Sequence, residues 1–201
     1  MSRLTKKESM PPVVRPAGRR AVLAGLLAII GAGVPWPGCL AQSDLQTAEY
    51  KVKAAFLYKF ASYVEWPADV FEPDSPFVIG VTGADALADE LAQIVVGRSI
   101  GGRPVAVRKL RRSDPVSGLH ILFVGRSNRG LPSDVLASAK GRPVLTVTES
   151  EDAFALGSVI NFVVVDDKVR FDVALREAEQ ANLKVSARLL SVARKVVTGP
   201  S

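Results

Sequence analysis

The chain has 201 residues, with 26 Lys+Arg against 20 Asp+Glu and a formal net charge of +6. Six of those basic residues and one of the acidic ones lie in residues 1–41, so the remainder holds 20 basic and 19 acidic side chains, a net of +1. A body this close to neutral argues against nucleic-acid binding, which needs a basic face or stripe, and its length of about 160 residues suits one hydrophobic core better than two.

Arg15, Arg19 and Arg20 precede the apolar run Ala21–Val34, which Pro35-Trp36-Pro37-Gly38-Cys39-Leu40-Ala41 closes. A basic segment, an apolar stretch and a break before a small residue are the parts of an export signal. The stretch is shorter than the about twenty residues a membrane-spanning helix needs. Residues 1–41 are therefore expected to be removed after Ala41, leaving 42–201 as a single domain outside the cytoplasm. Arg19-Arg20 also resembles a twin-arginine signal, so the export route stays open. Cys39 is the only cysteine, which excludes an intrachain disulfide. Trp36 and Pro37 fit poorly before an acylated cysteine, so loss with the signal is favoured over lipid anchoring at Cys39.

The body opens with a helical pattern over Leu45–Tyr63, with Ala48, Val52, Ala55, Phe56, Lys59 and Phe60 on one face. Trp66-Pro67 ends it, because the residue before proline avoids the helical region. Phe77–Val81 reads as a strand and Ala84–Val95 as an amphipathic helix. Gly101-Gly102 reads as a turn, and Pro104–Leu110 as an alternating strand. The basic cluster Arg108-Lys109-Arg111-Arg112 is either a solvated strand end or a patch for an anion or acidic partner. Leu119–Val124 is almost wholly apolar, which suits a central strand covered on both faces. Leu131–Ala139 reads as a short helix with Pro132 in its first turn, and Val144–Val147 as a strand. Val159–Val165 and Val169–Phe171 flank Asp166-Asp167-Lys168 as a hairpin. Asp172–Ala181 and Val185–Val197 read as two closing helices broken at Asn182. The alternation predicts an α/β, three-layer α/β/α sandwich on a mostly parallel five- or six-stranded sheet with a late antiparallel hairpin.

The catalytic inventory is poor. One His and one Cys, with no G-x-S-x-G elbow, supply no nucleophilic triad. No spacing of metal ligands points to a metal, and no Walker loop or G-x-G-x-x-G to a nucleotide cofactor. The candidate ligand- or partner-binding residues are His120, on the apolar strand; Arg126 and Ser127, in the Gly125–Gly130 loop after it; Arg170, which interrupts an apolar pattern; and Arg188, which lies near an apolar stripe. In open α/β sheets ligands collect at the carboxyl ends of strands, where Arg126, Ser127 and the Thr82-Gly83-Ala84-Asp85 turn would lie. The bland readings are a buried His120, a polar loop and structural ion pairs for the arginines.

Four ordered motifs carry a resemblance. They are Tyr50–Phe60 (YKVKAAFLYKF) with Tyr63–Pro67 (YVEWP); His120–Val124 (HILFV); Ile160–Val163 (INFV) with Lys168–Phe171 (KVRF); and Leu183–Leu190 (LKVSARLL). Together they resemble the YfiR-like proteins, the DUF4154 family, over about Tyr50–Val197. The resemblance implies a periplasmic, non-enzymatic regulator that binds the sensor region of an inner-membrane diguanylate cyclase and represses it, lowering cyclic di-GMP and biofilm formation. It further implies an outer-membrane lipoprotein as a sequestering partner, a homodimer, and no cofactor. Leu119 stands where such proteins often carry cysteine, so a redox-gated mechanism does not carry over. The alternative is a periplasmic sensor or carrier of a small anion or nucleotide-like ligand at the Arg126–Gly130 loop.

Overall fold

The computed structural model describes residues 38–111, 113–126 and 132–199. In chain order these form α1 (Gly38–Phe60), β1 (Val64–Glu65), a 3-10 turn (Ala68–Val70), β2 (Phe77–Thr82), α2 (Asp85–Val95), β3 (Ser99–Ile100), β4 (Arg103–Lys109), β5 (Ile121–Val124) and α3 (Pro132–Ala139). They continue as β6 (Leu145–Thr148), β7 (Ile160–Val165), β8 (Lys168–Ala174), α4 (Leu175–Gln180), β9 (Lys184–Val185), α5 (Ala187–Val192) and β10 (Lys195–Val197). The apolar run of the expected signal, Arg112 and the loop residues Ser127–Gly130 lie outside the described residues.

One sheet has the order β10-β8-β7-β6-β5-β2-β4-β3. Strands β4, β2, β5, β6 and β7 run parallel, β10 runs parallel to β8, and β7–β8 and β3–β4 are antiparallel. A separate two-stranded ribbon pairs β1 with β9. The α/β class and mostly parallel sheet agree with the sequence pattern. The sheet is wider than the five or six strands expected, because β3 and β10 are too short to show a period of two.

Alternation along each strand divides the core. Ile79, Ile121, Phe123, Val147, Phe162 and Phe171 face α1 and α2, packing with Ala54, Leu57, Phe60, Leu87 and Leu91. Leu122, Val124 and Leu119 face the other way, against Leu136 and Ala139 of α3. All four residues of β5 are buried, as a strand covered on both faces requires. Both hairpin turns match their sequences. Asp166 and Asp167 have φ of 49° and 56°, and Gly101 and Gly102 have 57° and 79°, the positive values that a two-residue turn of the strands' own twist demands.

Three expectations need correction. First, the buried stripe of α1 is rotated. Lys53, Ala54, Leu57 and Phe60 are fully buried, whereas Val52 is 43% exposed, and Ala48 and Lys59 are exposed. Lys53 lies on the inner face, where its charge disguises the period. Second, Val185–Val197 is not one helix. Val185 pairs with Val64, and the Ser186 hydroxyl caps α5 by accepting from Leu189 N–H at 3.3 Å. Val196 and Val197 then join the sheet beside Val173 and Ala174. The spacing of four, three and four between Val185, Leu189, Val192 and Val196 imitates a helical stripe across three different elements. Third, Asp172 does not open a helix; β8 continues through it to Ala174, and its carboxylate receives Arg194. Asn182 does break the chain before β9, with φ of 54°.

Candidate functional site

The strand order reverses between β2 and β5, and open α/β sheets usually take ligands at that point. Here the place is filled. Gly125 N–H donates to Thr82 O at 2.8 Å. A Cβ at position 125 would sit 2.6 Å from Gly83 O and 2.8 Å from Ala84 Cβ, so only glycine permits this approach. The Thr82–Asp85 turn, expected to form one lip of a ligand crevice, instead packs on Gly125.

A cleft of about 820 Å³ opens beside this contact, over the ends of β5 and β6 and the outer face of β7 and β8. Arg126, Arg194 and Lys195 bring three cations to it; Glu149, Glu151 and Asp172 bring three carboxylates. Its floor is a polar network in which the buried Ser150 Oγ is without a partner among the described residues. Asn161 Oδ1 accepts from Thr148 Oγ1 at 3.0 Å and from Ser150 N–H at 3.1 Å, and Thr148 Oγ1 lies 3.0 Å from Ser158 Oγ. Arg194 clamps Asp172 through two nitrogens, Nε at 2.8 Å, and so fastens β10 to β8.

The centre of the arrangement is Glu149. Its Oε1 accepts from Arg126 N–H at 2.9 Å, and its main-chain oxygen from Arg126 Nε at 3.2 Å. Its other carboxylate oxygen pairs with Lys53 Nζ. Lys53 is completely buried, pairs also with Glu49 one helical turn away, and lies 6.0 Å from the Tyr50 ring centre and 5.9 Å from that of Phe162. A buried ammonium persists only when paired, and here the pairing ties α1 to the end of β6 and to the loop that follows β5. Arg126 is thereby held to Glu149 at two points, its main-chain N–H on the carboxylate and its Nε on the main-chain oxygen. Reading the sequence as charged-outside missed Lys53 and Glu149. The signal was present, since Tyr50, Lys53, Leu57 and Phe60 are themselves spaced at three and four.

The other candidate residues are dispersed. His120 lies at the opposite end of β5, roughly 20 Å of strand from Arg126 at about 3.3 Å per residue. It is 4% exposed and stacks between Phe77, at 4.6 Å and 22°, and Phe71, at 5.0 Å and 12°. Its Nδ1 accepts from Val78 N–H at 3.0 Å, which leaves the ring proton on Nε2; that atom is buried without a partner among the described residues. Burial, and then the nearby Arg103 cation, push its pKa below the usual 6.5. Arg170 is exposed on β8 opposite Val163, and Arg188 is exposed in the first turn of α5; neither is among the described residues lining the cleft. Ser127 lies outside the described residues. Among the described residues, no group of three or more His, Cys, Asp or Glu is placed to hold a metal ion.

A family model described as YfiR/HmsC-like, DUF4154, matches residues 50–194. The chain belongs to that family. Its members are in general periplasmic regulators of cyclic di-GMP signalling, and the domain is regulatory in character. The motifs that mark the YfiR-like resemblance pack on one another. Phe56 and Phe60 meet Phe162 and Phe171 at 5.0–6.1 Å between ring centres. Val64 of the YVEWP segment pairs with Val185, and Trp66 Nε1 donates to His120 O at 3.2 Å. Most of what identifies the family is therefore core, and the cleft is what this core holds open. Among the described residues, no helix is long and apolar enough to cross a membrane.

Proposed function

We propose that this protein is an exported regulator, working in the periplasm after removal of residues 1–41, that binds the periplasmic region of an inner-membrane diguanylate cyclase and represses it. It acts without catalysis: binding one conformation of the receptor more tightly than another shifts the receptor's equilibrium by that difference in affinity. The observation that carries this reading is the family match across nearly the whole folded domain. The cleft supports it, because a rigidly backed Arg126 among mixed charges suits polar recognition of a protein surface. A homodimer as the working unit and an outer-membrane lipoprotein as a sequestering partner belong to the same reading. Cleavage after Ala41 would leave α1 beginning at Gln42, with Lys53 and the core face intact.

The test is site-specific photo-crosslinking from the exposed cleft residue Glu151 in envelope fractions. Capture of an inner-membrane signalling protein, lost in Arg126→Glu, is the expected result. Capture of outer-membrane or soluble proteins alone would end the cyclase assignment.

One observation favours a second reading, a sensor or carrier of a small anionic ligand. The cleft's volume of about 820 Å³ lies within the range of small-molecule sites, roughly 300–1,000 Å³, and the exposed Arg126 stands at it. Thermal-shift screening with nucleotides and small anions separates the two: a shift in the wild type that Arg126→Ala removes supports a ligand, and no shift with any of them removes this reading.

A further inference from the structure

The far side of the sheet has a feature that the cleft does not use. Strand β4 pairs with β2 along Val105–Lys109, but its outer edge is covered only at Arg103 and Pro104, by the two residues of β3. Leu110 N–H donates to Val81 O, so the amides of Ala106 and Arg108 also face β2 and those of Val105, Val107 and Lys109 face outward. Arg98 O takes the outward amide of Val105. Val107 and Lys109 are left presenting main-chain groups along an open edge.

Beside this edge, on the α2 side, lies a groove of about 480 Å³ lined by Ala92, Val95, Val96, Pro104, Val105 and Val107, with Val96 78% exposed. On the other side of the pleat Ala106 and Arg108 alternate with the valines. Arg108's described contact is a long hydrogen bond, 3.4 Å, to Pro115 O. Arg98 stands over the Tyr58 ring at one end of the groove, and Arg111 follows at the other. Basic side chains on an edge strand guard against self-pairing, since antiparallel pairing of two copies would set Arg108, Lys109 and Arg111 of one against those of the other.

We propose that the outer edge of β4 takes a short extended segment of another polypeptide as an added strand, one that alternates small apolar residues with acidic ones. Main-chain bonds to Val107 and Lys109 hold it, the apolar side chains enter the groove beside Val96, and the carboxylates lie along Arg108. This surface is separate from the cleft and does not depend on what the cleft binds.

Fluorescence anisotropy with a labelled peptide alternating valine and glutamate tests it, against a valine–lysine peptide as control. The acidic peptide is expected to bind the wild-type protein and the basic one not to. Val107→Pro removes an outward amide and leaves the ladder to β2 intact, and should weaken binding by about tenfold. Arg108→Glu should exchange the preference between the peptides, and it carries the test if Val107→Pro does not fold. The proposal fails if the acidic peptide does not bind, if both peptides bind alike, or if a folded Val107→Pro binds unchanged. It also fails if sedimentation shows a wild-type dimer that Val107→Pro dissociates, because the edge would then pair with itself.

Discussion

The two ends of β5 bury polar groups in opposite ways. At its carboxyl end the ion pair of Lys53 and Glu149 is buried behind Arg126, with the part-exposed Glu49 on the same ammonium. At its amino end a neutral imidazole, His120, is stacked between two phenylalanines with Arg103 5.0 Å over the outer ring. The first arrangement depends on charge being present and fixes the position of an exposed side chain. The second depends on charge being absent and fixes the start of β2 and the loop that carries Phe71. A buried polar residue therefore points to the surface cleft only when its partners lead there.

The largest expected effect breaks the charged end. Lys53→Ala leaves the buried Glu149 carboxylate without its Lys53 partner and should cost about 3–5 kcal/mol, a fall in Tm of roughly 10 °C, measured by thermal or urea denaturation. Lys53→Met combined with Glu149→Gln should recover much of that loss, because the one unpaired charge left, Glu49, is part-exposed to water. Next in size is Gly125→Ala. Its new methyl group meets main-chain atoms that cannot rotate away, so overpacking should cost about 1–3 kcal/mol and disturb the Arg126 amide, seen in the same melts.

The neutral end predicts a pH dependence of defined sign. His120 is the only histidine, and its folded pKa lies below the unfolded value near 6.5. Below that value the unfolded chain binds the proton more readily, so stability is fully present above about pH 6.5 and is lost as pH falls toward the folded pKa. The slope cannot exceed about 1.4 kcal/mol per pH unit for one proton. His120→Phe should flatten the stability profile between pH 7.5 and 5.5, and an unchanged slope would mean that other groups set it. The smallest effect on stability belongs to Arg126→Ala, expected within about 1 kcal/mol because the side chain is exposed, although binding at the cleft should suffer.

The difference between the ends also explains what could be read from sequence. Strands with apolar runs, such as Leu119–Val124, and turns with Gly-Gly or Asp-Asp announce themselves locally, so the class, the parallel core and the hairpin were legible. Elements of two or three residues, β1, β3, β9 and β10, owe their existence to partners distant in sequence and have no period of their own. Lys53 was hidden for a related reason: its burial rests on Glu149, 96 residues away. Arg126 was singled out because a loop after a central strand is where ligands collect, and it does line a cleft, whereas the closure of the neighbouring crevice by Gly125 needed the packing of two loops. The dispersal of His120, Arg170 and Arg188 shows that an interrupted apolar pattern locates a polar residue without saying what it faces.

The most direct measurement is intracellular cyclic di-GMP in a strain lacking this gene, complemented in turn by the wild type and by Arg126→Glu with matched Tm and envelope levels. The account predicts a rise on deletion, restoration by the wild type, and a level still raised with the charge-reversed cleft. An unchanged level on deletion would contradict it.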